Sequence, residues 1–231
     1  AKAIPGVTMV KAIPQGVAVF AESSYASLKG RAALQVEWDD SKAETRSTEQ
    51  ILSAYRKQLD KTGITAAEQG DVKSVAQRDD ITWLEAEYVF PFLAHAPMET
   101  LDAVLMRNAE GGIECYAGAQ APAADKHAIA EICGLPTEQV QVHVQLAGGS
   151  FGRRAQQDAQ FMREAAEAFK ASGMSRPVKL FWTREDDIRG GFYRPLYIHR
   201  LRGGIDGDGN IVSWEQSVVG QSILGLSDKM D

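Results

Sequence analysis

The stretch Val140-Gln141-Val142-His143-Val144-Gln145-Leu146-Ala147-Gly148-Gly149-Ser150-Phe151-Gly152-Arg153-Arg154 passes from strict apolar–polar alternation into a glycine-rich turn. Val140, Val142, Val144 and Leu146 fall on one face of a strand. The glycines follow, and residues 158–171 then read as a helix. Hairpins stand on both sides of this strand–loop–helix unit. Residues 103–106 and 113–116 pair about Glu110-Gly111-Gly112, and residues 198–205 and 211–219 pair about Asp206-Gly207-Asp208-Gly209-Asn210. Strands and helices mixed with several hairpins argue for an α+β fold rather than a doubly wound sheet.

Upstream, residues 7–13 and 16–22 are β-prone runs parted by Pro14-Gln15-Gly16. Residues 24–34 read as a helix that Ser23 or Ser24 caps, and 35–38 alternates like a half-buried strand, giving a β-β-α-β unit. A second helix is expected over 48–61, with Ile51, Leu52, Tyr55 and Leu59 as its apolar stripe. The polar stretch 61–80 reads as a linker. Strands over 81–90 and 177–182, and a helix over 124–133 that stops at Gly134, complete the pattern. The 206–210 turn shares a few residues with a calcium loop but lacks its later carboxylates, so a plain hairpin turn is expected.

The chain has 231 residues, 44% apolar and 24% charged, which suits one large domain or two small ones. Its formal net charge of -6 argues against a nucleic-acid or anionic-membrane partner. The apolar runs are too short for a transmembrane segment. Cys115 and Cys133 read as two buried free thiols, with a single disulfide as the alternative, so the compartment stays open. No CxxC pair signals zinc or an iron–sulfur cluster. The opening at Ala1, without an initiator Met or signal peptide, and the absence of a closing element lead us to expect that both ends were cut from a longer chain.

In a chain of this charge the run GGSFGRR at 148–154 stands out. Glycines let a backbone approach a ligand closely, and consecutive N–H groups in such a turn form an anion nest. A helix start beyond the turn favours negative charge, and Arg153 and Arg154 add charge-assisted donors suited to phosphate. The plain alternative is a strand–turn–helix connection with surface arginines. Walker and Rossmann spacings are both absent. A self-contained anion- or nucleotide-binding module built on 148–154 is one functional reading.

GGSFGRR also resembles the GGGFG molybdopterin loop of the xanthine dehydrogenase and aldehyde oxidase family, and its RR ending resembles the isoquinoline 1-oxidoreductase β-subunit branch. Other segments resemble that family in the same order. They are Ile13-Pro14-Gln15-Gly16-Val17-Ala18-Val19 and Gly30-Arg31-Ala32-Ala33-Leu34 of an α/β hammerhead, and Pro91 to Glu99 for an HAxMEP segment. Ala117-Gly118-Ala119-Gln120-Ala121-Pro122 and Pro177 to Asp187, similar to PVKxxWTRED, follow. Two departures stand out: Ser150 replaces a glycine, and Ala155 stands where xanthine oxidases carry a substrate-handling glutamate.

The resemblance implies the C-terminal part of a hammerhead-like domain and a linker helix over 1–65, then an incomplete first molybdopterin-binding region over 81–231. It implies a molybdenum hydroxylase large subunit that oxidises an N-heterocycle or aldehyde with water-derived oxygen. Electrons would pass to an iron–sulfur subunit with 2Fe–2S clusters. The cofactor would be molybdenum on molybdopterin, as the cytosine dinucleotide, present in the full-length enzyme and absent from this fragment. Gln120 would hydrogen-bond the metal's apical oxo group, and Gly148, Gly149, Ser150, Phe151 and Gly152 would grip the cofactor. Arg153 and Arg154 would reach its phosphate or the groups behind it. No protein ligand to the metal is implied. The family's base, a glutamate in a GxGE-like segment, lies outside these residues, so no catalytic residue is expected here and the chain alone should be inactive. Glu99 reads as a structural carboxylate, His95 as structural or pocket-lining, and Arg184, Glu185 and Asp186 as a solvated ion-pair cluster. The remaining histidines, at 127, 143 and 199, show no ligand spacing.

Overall fold

The computed structural model describes residues 1–156 and 158–223. The fold is α+β, as expected. It divides into two compact units, each discontinuous: 1–39 with 94–192, and 40–93 with 193–231. These units cut the chain differently from the sequence ranges 1–65 and 81–231. The reason is strand pairing across more than a hundred residues: β3 (Thr82–Phe90) lies antiparallel to β8 (Tyr197–Ile205), which brings distant segments into one sheet.

The first unit opens with a hairpin of β1 (Val7–Ile13) and β2 (Gly16–Ala21), followed by α1 (Ser24–Ala32). Ser23 caps α1 by accepting from the Ala26 N–H, as its position before the helix predicts. The helix lies so close to the hairpin that a Cβ at Gly30 would sit 2.7 Å from Val7 Cγ2 and 2.8 Å from Val19 Cγ1. Two effects oppose each other in Gly30→Ala. Helix propensity favours alanine by about 1 kcal/mol, whereas overpacking costs about 1–3 kcal/mol. Overpacking should win, so urea denaturation of Gly30→Ala is expected to show a net loss of about 1 kcal/mol. A stabilised variant would mean that α1 is not docked this tightly.

Residues 35–38 form no strand, and Trp38 is exposed. No strand pairs with this run: β1 and β2 pair only with each other. The unit is therefore ββα rather than β-β-α-β.

The rest of this unit is a four-stranded mixed sheet in the order β6-β5-β4-β7. Its strands are β4 (Asp102–Arg107), β5 (Ile113–Ala117), β6 (Val140–Val144) and β7 (Val178–Phe181). β5 and β6 run parallel, joined through α4 (Pro122–Cys133), which ends on Gly134 in the left-handed region. α4 and α5 (Gln160–Ala171) pack against the sheet in one core that includes Leu105, Ile113, Ile129, Phe161, Met162 and Phe169. Cys115 and Cys133 are buried free thiols, and burial pushes Cys115 up to about 12. The 140–146 alternation overstates its strand. β6 stops at Val144, where its partner β5 ends at Ala117, and Val144 and Leu146 are exposed.

The second unit holds α2 (Thr48–Leu59), a short α3 (Val72–Val75) and the antiparallel sheet β3-β8-β9, with β9 spanning Ile211–Gly220. Ser47 and Gln50 close a capping box on α2. Leu52, Tyr55 and Leu59 of α2 pack on Leu196, Ile198 and Val219. The same sheet face carries ion pairs: Arg202 with Glu85 and Glu215, Arg200 with Asp60, and Arg56 with Glu87. The opposite face is apolar and open, with Leu84, Tyr88, Trp214 and Val218 exposed. The 206–210 turn is a plain hairpin, closed by Asp206 accepting from the N–H groups of Asp208 and Asn210. Among the described residues no group of three or more His, Cys, Asp or Glu could hold a metal, and no helix is long and apolar enough to cross a membrane.

Candidate functional site

The glycine loop begins where β6 runs out of partner. The Gln145 N–H still donates to Ala117 O at 2.9 Å, and Glu99 then clamps Gly148 at two points. The Glu99 N–H donates to Gly148 O at 3.1 Å, and the Gly148 N–H donates to Glu99 Oε2 at 2.7 Å. That hydrogen bond is the main cause holding the Glu99 carboxyl below its ordinary value. A Cβ on Gly148 would lie 2.7 Å from Glu99 Cβ, so this position accepts glycine alone. Glu99 therefore has the structural role expected of it.

Beyond the clamp the backbone turns through positive φ at Gly149 (+101°), Phe151 (+57°) and Gly152 (+92°). Ser150 does not share it, so the departure from glycine there carries no backbone strain. The Arg153 N–H closes on Ser150 O and the Ala155 N–H on Gly152 O. Among the described residues, the N–H groups of Gly149, Ser150, Phe151 and Gly152 have no protein acceptor. Four consecutive donors with no partner are the composition of an anion nest. The Phe151 ring is 76% exposed beside them.

Of the two placements expected for the arginines, at the cofactor's phosphate or among the groups behind it, both side chains turn inward, behind the loop. Each is 1% exposed. Arg154 donates from Nη1 to Gly118 O at 3.2 Å, and from Nη2 to Thr100 O at 3.1 Å and Glu99 Oε1 at 3.2 Å. It thus joins the Glu99 strand entry, the Gly118 turn and the loop. Arg153 donates to Gln160 Oε1 at 2.7 Å and lies over the rings of Trp182 and Phe192. Burial pulls its guanidinium below the ordinary value. The physical reason for the inward turn is supply: the loop's neighbours offer buried carbonyls and aromatic faces that a guanidinium fork satisfies. The helix start is also displaced. α5 begins at Gln160, behind a left-handed Ala159, so its N-terminus does not abut the glycines.

Gln120 is brought to the loop. Its backbone N–H donates to Arg154 O at 3.4 Å, and its Oε1 accepts from the Ser150 hydroxyl at 2.6 Å. All eight residues expected at the site are therefore brought together, five along the loop at 148–152, Gln120 beside them and the two arginines as buried supports. Sequence reading missed the role of Arg184. Rather than standing in a solvated cluster, it donates to Met98 O at 2.9 Å and to Pro97 O, and pairs with the buried Asp187. Its helix, α6 (Arg184–Arg189), is capped by a Thr183–Asp186 box, a signal present in the sequence as Thr-x-x-Asp. Asp186 also forms a bidentate pair with Arg31. His95 is partly buried, with Nδ1 unpartnered among the described residues, and burial lowers its pKa.

Residues 55–222 match the family described as molybdopterin cofactor-binding domain. The chain is 29% identical over 233 positions to the isoquinoline 1-oxidoreductase subunit beta of Brevundimonas diminuta, covering 97% of this chain and 29% of that protein. It is 31% identical over 150 positions to one component of a probable xanthine dehydrogenase from Bacillus subtilis, covering 65% of this chain and 20% of that protein. Among solved structures it is similar to quinoline 2-oxidoreductase from Pseudomonas putida 86, with a TM-score of 0.63 and 17% identity, over 94% of this chain and 32% of that one. The chain thus spans under a third of each of these relatives. The family match covers most of the chain, glycine loop and Gln120 included, and places it in the molybdopterin cofactor-binding domain family of xanthine dehydrogenase and aldehyde oxidase type.

Proposed function

We propose that this chain is the cofactor-gripping part of a molybdenum hydroxylase large subunit of isoquinoline 1-oxidoreductase type. The observation that carries the reading is the run of four unpartnered N–H groups at 149–152 beside Gln120. That donor set fits the acceptor atoms of molybdopterin, its phosphate oxygens and the oxygens on its metal. Gly149, Ser150, Phe151 and Gly152 would hold it through backbone N–H, with Gln120 reaching its metal end. Glu99, Arg153 and Arg154 keep the loop in shape from behind. When bound, the cofactor supplies the two-electron chemistry that hydroxylates an N-heteroaromatic ring or an aldehyde with oxygen from water. The chain's own residues supply grip and a rigid frame. The cytosine dinucleotide form of the cofactor and an iron–sulfur partner subunit complete the proposal. The 231 residues alone are inactive, since no base of the GxGE type is among them.

The test uses the full-length protein assembled with its iron–sulfur partner, assayed on N-heterocycles and aldehydes. Gly148→Ala is expected to cut molybdenum per protein at least tenfold, since about 1.4 kcal/mol lost from the grip is already tenfold. Far-ultraviolet circular dichroism should stay unchanged. Undiminished molybdenum in that variant would sink the loop assignment. Turnover by the isolated 231-residue chain would sink the claim that it is inactive alone.

A further inference from the structure

The serine that departs from the family's glycine is wired to Gln120. The chain of contacts runs Arg154 N–H to Ser150 Oγ at 3.0 Å, then Ser150 Oγ to Gln120 Oε1 at 2.6 Å. The distance gives it a direction. The Arg154 N–H takes one lone pair of the hydroxyl, which keeps its O–H proton and its second lone pair. At 2.6 Å the contact to Gln120 is ordinary for O–H···O, while N–H···O bonds centre near about 2.9–3.0 Å. The hydroxyl therefore donates to the amide's oxygen. With Oε1 occupied as an acceptor, the NH₂ end of Gln120 is free to face outward. Gln120 is exposed, and among the described residues its Nε2 has no partner.

We propose that Ser150 is a positioning residue that fixes the Gln120 amide so that its NH₂ group, a donor, is the end presented to the ligand. A glycine at 150 has no hydroxyl to do this. An unheld glutamine amide can rotate and offer either a donor or an acceptor. With Ser150 in place, the site selects an acceptor atom opposite Gln120. The anchor is firm because Arg154, whose N–H starts the chain, is held by its buried guanidinium. The ligand's identity rests on the function proposed above, whereas the orientation of Gln120 does not.

Neutron and X-ray crystallography of the full-length protein exchanged into D₂O tests this, with Ser150→Ala, Ser150→Gly and Ser150→Thr alongside the parent. In the parent and in Ser150→Thr, a deuteron is expected on the residue-150 hydroxyl aimed at Gln120 Oε1, and two deuterons on the outward Nε2. In Ser150→Ala and Ser150→Gly the Gln120 side chain is expected to lose that single position. Rescue by threonine separates hydroxyl positioning from mere packing. An inward-facing Nε2 in the parent, or an unmoved Gln120 in Ser150→Ala, would overturn the proposal. The maps decide this with or without bound cofactor. A parent protein that carries no molybdopterin would overturn the proposed function instead.

Discussion

Arg154→Met is expected to destabilise the protein by about 3–5 kcal/mol, the range for removing one partner from a buried charged network. Three groups explain the size. Gly118 O loses a charged donor in a buried place where water does not replace it, the half-buried Thr100 O loses another, and Glu99 loses the cation facing its Oε1. An acceptor left buried and unpaired costs about 1–3 kcal/mol. Methionine refills some of the volume and none of the hydrogen bonds. For a chain of this length each kcal/mol shifts Tm by roughly 2–4 °C, so a fall of about 10 °C is expected. Arg154→Lys keeps the charge without the planar fork and should fall between. Urea denaturation with matched m-values measures both. A loss below about 1 kcal/mol for Arg154→Met would show that the guanidinium does not buttress the loop.

The second large effect is pH-dependent. Asp125 lies in the first turn of α4, 1% exposed, and its Oδ2 has no partner among the described residues. Burial raises its pKa from 3.8 to about 7. A helix N-terminus favours a carboxylate by only about 0.3–2 kcal/mol, so desolvation wins. The sign follows from the direction of the shift. The acid is more readily protonated in the folded state, so the folded state loses stability as pH rises from about 4 to about 7, then levels off. Asp125→Asn keeps the shape and removes the charge. It should be more stable than the parent by about 1 kcal/mol at about pH 4.5 and about 4 kcal/mol at about pH 8. Urea denaturation at the two pH values measures the widening. An equal gap at both would mean that Asp125 is not buried as a charge.

Local chemistry was legible in the sequence wherever a residue's own neighbours decide the outcome. Ser23 and Gly134 mark helix ends, Asp206 marks a hairpin turn, and Gly148 and Gly152 mark the loop. Legibility failed where a distant partner decides. The 35–38 run alternates correctly yet has no strand beside it, and Val144 lies where β5 ends. For Arg153 and Arg154 the sequence left open phosphate or the groups behind it, because their carbonyl and aromatic partners come from residues 99, 100, 118, 182 and 192. Ser150 and Gln120 were each singled out, but thirty residues of sequence conceal that they share a proton.

The uneven cores of the two units set an order of opening. The first unit gathers eighteen buried apolar residues in one cluster, whereas the second has only Leu59, Leu196 and Ile198 fully buried among the described residues. Local opening free energy follows buried apolar contact more than surface ion pairs. The amides of β3, β8 and β9 are therefore expected to exchange with solvent through partial openings that leave α4, α5 and the strands beneath them protected. Hydrogen exchange is expected to be faster in the three-stranded sheet than in the scaffold that carries the glycine loop.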